Sequence, residues 1–202
     1  MFHHKDQRIG IFIDIQNLYH SAKNLYDSRV NYKQLIDHIV GERKLIRALA
    51  YVVQSEAVLA AAEASHATIS GKSESSFFEA LEKTGIDLRI KDLQLYPGGM
   101  KKADWDVGMA IDAVRLSDSL DAVILITGDG DFIPLVDYLR WGKGLEIEVV
   151  GFGQSTNGKL KEAADKFTPV EDIPKSLIKI NRRRGSGNQS RRGPRRQPRK
   201  NN

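Results

Sequence analysis

DAVILITGDGD, residues 121–131, is an apolar run that stops at a loop of alternating glycine and aspartate. Five of the seven residues from Asp121 to Thr127 are apolar, and Val123, Ile124, Ile126 and Thr127 are β-branched. That pattern predicts a strand buried on both faces, and such a strand belongs in the middle of a sheet with helices on each side. Upstream, Asp106 to Leu116 carries Val107, Ala110, Ile111 and Val114 at helical spacing. Downstream, residues 132–141 predict a helix that Gly142 and Gly144 break. LEIEVVGF (145–152) predicts a strand, and Asn157 to Asp165 a short helix.

The amino-terminal half has the same rhythm. RIGIFI (8–13) predicts a buried strand ending at Asp14. Helices are expected over 15–26 and 31–39, the second capped by Asn31, bearing Tyr32, Leu35, Ile36 and Ile39, and stopped by Gly41. KLIRALAYVV (44–53) is a strand. An Ala-rich stretch follows, then a helix over about 75–84 with Phe77, Phe78 and Leu81, closed by Gly85. IDLRIKDLQLY (86–96) alternates like a strand near a sheet edge before Pro97, Gly98 and Gly99 turn the chain. About five strands alternating with helices imply right-handed crossovers and a mostly parallel sheet in an α/β domain.

The chain has 202 residues, 41% hydrophobic and 28% charged, which suits one core with a tail. No apolar run approaches the roughly 20 residues of a membrane span, and the polar start MFHHKDQR lacks the features of a secretory signal. The chain has no cysteine, which removes disulfides, thiolate metal sites and cysteine nucleophiles, and a reducing cytoplasm is the expected setting. Residues 1–7 read as a flexible start, 8–172 as the domain and 173–202 as an extension. Net charge is +5, but residues 182–202 hold nine basic residues and no acid, which leaves a body of net −4. The nine are Arg182, Arg183, Arg184, Arg191, Arg192, Arg195, Arg196, Arg199 and Lys200. With nothing apolar to bury and many Gly, Pro, Ser, Gln and Asn residues, the tail is expected to be disordered and to meet a polyanion, RNA or DNA. The alternative is a solubilising tail.

In an open parallel sheet, ligands bind beyond the carboxyl ends of the strands, where strand order reverses. Asp14 follows the first strand, and Asp129 and Asp131 follow DAVILIT. Asp104 or Asp106 opens the helix that feeds the same strand, with Asp112 further along it. Several carboxylates on one rim form an oxygen shell suited to Mg²⁺ or Mn²⁺. Taken singly, the acids also fit turns and helix caps. Asn17 either orients a ligand or begins a helix, and Thr127 either bonds water at the site or caps a turn. The five histidines form no paired ligand set and receive no role. Trp105 and Tyr19 read as packing residues more readily than as base-stacking ones.

IGIFIDIQNLYHS, KKADWDVGMAIDAVRL, DAVILITGDGDFIPLVDYLRWGKGLEIEVVGF and LKEAADKF together resemble the NYN domain in its bacterial LabA-like branch, related to PIN-domain nucleases. The resemblance implies a PIN-like Rossmannoid three-layer α/β/α sandwich. It further implies carboxylates that bind divalent metal and RNA, most readily single-stranded, as substrate. The family's acids fall on Asp14, Asp106, Asp129 and Asp131, its asparagine on Asn17, and a recurrent helix acid on Asp112.

Two readings follow: a metal-dependent ribonuclease, and a non-catalytic regulator that binds RNA or a protein partner through the same pocket and tail. Turnover separates them. A phosphatase-type site would need a second acid two residues after Asp14, where Gln16 stands, and a topoisomerase-primase type of domain would need a glutamate in place of Asp14. A homo-oligomer and a regulatory protein partner are both compatible with the sequence. The charge split itself makes a prediction. Deleting residues 182–202 should weaken binding to a short RNA and flatten its salt dependence, by roughly 0.7 in slope for each phosphate no longer neutralised on a single strand. Binding across a salt series checks it, and equal slopes would return the tail to a solubilising role.

Overall fold

The computed structural model describes residues 5–54, 78–92, 94–95, 101–102 and 105–180. The basic tail, the Ala-rich stretch, Phe77, the Pro97–Gly99 turn and Asp104 lie outside them. The strands are β1 (Arg8–Asp14), β2 (Ser28–Val30), β3 (Lys44–Gln54), β4 (Asp87–Asp92), β5 (Gln94–Leu95), β6 (Lys101–Lys102), β7 (Ala122–Ile126), β8 (Glu146–Gly151), β9 (Lys166–Pro169) and β10 (Leu177–Lys179). The helices are α1 (Ile15–Tyr26), α2 (Tyr32–Val40), α3 (78–82), α4 (Asp106–Leu116), α5 (Ile133–Asp137) and α6 (Gly158–Ala163).

Six strands form the main sheet in the order β4-β3-β1-β7-β8-β9, and every pairing in it is parallel. DAVILIT supplies the interior strand β7, whose five residues are all buried. The expected alternating strand becomes β4 at one edge. From β1 the chain builds outward through β3 and β4, then returns to the other side of β1 and builds outward through β7, β8 and β9. Strand order therefore reverses between β1 and β7, as in doubly wound dinucleotide-binding folds.

Alternate residues of β1 serve two cores. Ile9, Ile11 and Ile13 pack beneath Leu18 and Ala22 of α1 and Leu35 and Ile36 of α2. Phe12 faces the opposite layer with Met109 and Ala113 of α4, Val136 of α5 and Leu160 of α6. The three layers predicted from the sequence are present.

The main sheet has six strands where about five were expected. Lys166–Pro169 is the addition, a four-residue segment ending in proline with little strand signal of its own. It is a strand because β8 offers it a parallel partner, with Val149 opposite Phe167 and Val150 opposite Thr168. The short β2 and β10 likewise depend on each other, pairing antiparallel with Arg29 opposite Ile178. Residues beyond 172 continue to pack: Ile173 is buried in the first core, and the Ser176 hydroxyl donates to the Val170 carbonyl. The helix expected over 132–141 is α5 followed by a wider π-turn at Tyr138–Gly142.

Arg43 and Glu148 form an ion pair with side chains only 3% and 2% exposed. Arg43 also donates from Nη2 to the Ile39 carbonyl (2.6 Å), so it satisfies the carboxyl end of α2 while joining it to β8. Lys166 on β9 reaches the other Glu148 oxygen at 3.4 Å. Removing one member leaves a buried charge without its partner, so Arg43→Met should cost about 3–5 kcal/mol of stability, whereas Arg43→Met with Glu148→Leu should recover most of it. Urea unfolding of the three proteins checks this ordering.

Candidate metal centre at the strand-order reversal

The amino end of α1 is built on the rim of the sheet. Asp14, the last residue of β1, caps α1 by accepting the Asn17 backbone N–H at Oδ1 (3.0 Å), a bond that offsets one of the helix's unpaired donors. Its Oδ2 accepts the Thr127 hydroxyl (3.3 Å), and the Thr127 oxygen in turn accepts the Asp129 N–H (3.2 Å). Asn17 Oδ1 accepts the Gly128 N–H (2.9 Å). The helix reading of Asn17 holds, because it lies in the first turn of α1, and its amide holds the loop after β7.

Close approach requires the glycines of this loop. A Cβ at Gly128 would lie 3.1 Å from the Thr156 Cα and 3.2 Å from Asn17 Oδ1, and one at Gly130 would lie 2.4 Å from Asn157 Nδ2. Between them Asp129 caps the 3₁₀ turn Gly130–Phe132, accepting the Asp131 N–H at 3.0 Å. The turn reading of Asp129 is thus correct for one oxygen and leaves the carboxylate on the rim.

Asp106 arrives from α4. The Trp105 indole donates to the Val52 carbonyl (2.9 Å) and its ring meets Tyr51 edge-on at 5.6 Å, which fixes the start of α4 against the end of β3. Trp105 is a packing residue, as expected, and its packing positions the next residue. Asp106, Asp129 and Asp131 each offer an oxygen, and the three oxygens lie within 4.8 Å of one another. Asp106 and Asp129 are half-buried and Asp131 is exposed. Three carboxylates this close repel one another, and their hard oxygen donors fit Mg²⁺ or Mn²⁺.

Asp14 lines the same cleft, of about 210 Å³, with Asn17, His20, Tyr51, Asp106 and Asp129, but it is not one of the three clustered carboxylates. Burial pushes its carboxyl above the usual range. Hydrogen bonds from Asn17 and Thr127 oppose the rise, and the charge of Asp129 adds to it. Asp112 lies elsewhere, in a neighbouring groove, where it accepts the Tyr51 hydroxyl (3.1 Å) and Arg89 Nε (3.2 Å). His20 and Gln16 also border the cleft, although sequence reasoning gave them no role. Their spacing from Asn17 and from each other, along the first turns of a helix that begins at Asp14, was the available signal.

Residues 8–171 match the NYN domain family, most of the length of the chain. The chain belongs to the NYN domain family. It is 28% identical over 112 residues to the low amplitude and bright protein LabA of Synechococcus elongatus, a match covering 52% of this chain and 60% of that protein. A crystal structure of a protein of unknown function from Vibrio parahaemolyticus superposes with a TM-score of 0.73 at 28% identity, covering 88% of this chain and 100% of that one. The NYN domain carries the acidic cluster, and among the described residues no helix is long and apolar enough to cross a membrane.

The raised Asp14 carboxyl has a testable sign. The folded state holds this proton to higher pH than the unfolded chain does, so ionising Asp14 costs stability as pH rises from the ordinary value near 3.8 through the raised folded value. In EDTA, Asp14→Asn should melt above the parent at neutral pH, and the gap should close as the pH falls to the ordinary range. Thermal melting of both proteins across that range checks it.

Proposed function

We propose that this protein is a metal-dependent ribonuclease that hydrolyses phosphodiester bonds of single-stranded RNA. The convergence of Asp106, Asp129 and Asp131 oxygens within 4.8 Å at the strand-order reversal carries the reading, and membership of the NYN family supports it. Mg²⁺ or Mn²⁺ held by these carboxylates would supply an acidified water and neutralise charge on the phosphate.

The chain's own residues do the positioning. Asn17 and Thr127 hold the loop after β7 so that Asp129 stays on the rim, and Trp105 holds Asp106 opposite it. Asp14 is the fourth carboxylate of the cleft, bonded to Thr127 and set beside Asp129. Asp112 acts through Tyr51, keeping that hydroxyl on the groove side of the wall. Burial and the Asp112 charge push the Tyr51 hydroxyl far above its ordinary value, so it remains a donor across the working pH range. The cationic tail, Arg182 to Lys200, holds the substrate backbone without reading its sequence.

Labelled single-stranded RNA incubated with the protein in Mn²⁺, and in EDTA, tests this. Cleavage should require metal. Asp129→Asn should slow it by at least about a hundredfold, the upper end of what changes around a metal site cost, while RNA binding persists. Mn²⁺ should raise the melting temperature of the parent and much less that of the variant, because a ligand of the folded state alone stabilises it. RNA bound and left intact in every metal would make the protein a binder instead.

A further inference from the structure

A second concavity, of about 640 Å³, opens beside the acidic cleft between α4 and the β3–β4 edge. The two share a wall. Tyr51 lines the cleft, and its hydroxyl donates at 3.1 Å to Asp112, which lines the groove. Helix α4 also spans both, with Asp106 and Met109 at the cleft and Asp112 and Arg115 at the groove. Along β3, four residues separate Tyr51 from Arg47, about 13 Å of strand. Along α4, nine residues separate Asp106 from Arg115, also about 13 Å. The groove is therefore a continuation of the cleft, running down the sheet edge.

Arg47 from β3, Arg89 from β4 and Arg115 from α4 rim it over Leu49 and Leu88, with side chains 58%, 47% and 75% exposed. Acids are present too: Arg47 Nη1 donates to Asp87 (2.9 Å), Arg89 Nε to Asp112 (3.2 Å), Arg115 lies 3.8 Å from Asp112, and Glu82 completes the lining. These pairs do not exhaust the guanidinium forks. Asp112 takes only the Nε of Arg89, so both Nη groups of Arg89 lack a hydrogen-bond partner among the described residues, and Arg115 makes no hydrogen bond there. Asp112, by contrast, is only 18% exposed and already accepts two donors. What the groove presents to solvent is oriented, unspent guanidinium donors, the geometry that fits phosphate oxygens.

We propose that this arginine-rimmed groove binds the phosphodiester backbone of a single-stranded RNA on one side of the bond that sits in the acidic cleft. The proposal rests on the ribonuclease reading for the position of that bond. It assigns Arg89 and Arg115 as phosphate contacts within the folded domain, separate from the basic tail.

The test uses the full chain, a short single-stranded RNA and two readouts. In EDTA, where binding is seen without cleavage, affinity is measured across a salt series for the parent, Arg89→Gln with Arg115→Gln, Arg89→Lys, and Lys33→Gln on α2 across the sheet. The double variant should lose roughly 1.4 in salt slope, about 0.7 for each phosphate contact. Arg89→Lys and Lys33→Gln should keep the parent slope, and circular dichroism should show all four folded. In Mn²⁺, cleavage by the double variant should show a raised KM. Cleavage by the parent with equal slopes for parent and double variant overturns the groove and leaves the ribonuclease reading standing. A reduced slope in the double variant, with no cleavage by any protein, supports the groove as an RNA site and overturns the ribonuclease reading. Absence of both binding and cleavage overturns both.

Discussion

Parallel pairing of β1 with β7 is the contact on which the rest of the molecule depends. These strands are distant in sequence, yet Ile9 lies opposite Ala122 and Ile13 opposite Ile126. The pair is fastened at both ends. At the start, Arg8 donates from its backbone N–H (2.8 Å) and from its guanidinium Nη2 (2.6 Å) to Asp121. At the finish, Asn17 takes the Gly128 N–H and Thr127 bonds Asp14. Exposed pairs such as Arg8–Asp121 are worth little individually. The buried strands between them supply the stability, and the end contacts hold the register that brings two loops to one rim.

A doubly wound sheet leaves a crevice where its strand order reverses, because the connections on either side run away from that point. Here the crevice receives one carboxylate from the end of β1, two from the loop after β7 and one from the start of α4. Asp14 and Asp129 cap the turns that follow them, so local folding and assembly of the candidate site use the same side chains. Like charges held together cost stability without a cation, so folding stability alone does not account for the cluster.

The polar groups buried elsewhere follow another logic. Arg43 and Glu148 are charges inside the layer beneath α2, made tolerable by the Ile39 carbonyl and by Lys166 at the sheet edge. Such a network binds a helix end to two strands in one arrangement, which apolar packing alone specifies less sharply. It lies in the α2 layer, away from the acidic rim.

The local pattern of the chain was sufficient for the fold class. Apolar runs at 8–13, 44–53, 121–127 and 145–152, each followed by a helical period, specify parallel strands with crossovers, and Asp14, Asp129 and Asp131 stand at strand ends by counting alone. Segments whose signal was weak, Lys166–Pro169 and the β2–β10 pair, became strands only because a neighbouring backbone was left with unpaired groups. Among the acids, sequence offered Asp14, Asp106, Asp129 and Asp131, with Asp104 and Asp112 as supporting candidates. Tertiary structure drew Asp106, Asp129 and Asp131 into one set, kept Asp14 on the adjoining wall, and turned Asp112 toward Arg89. The physical reason is one of range. Periodicity and capping act over a few residues and can be read along the chain, whereas the distance between carboxylates on separate loops depends on sheet register and on how Trp105 seats α4 against β3.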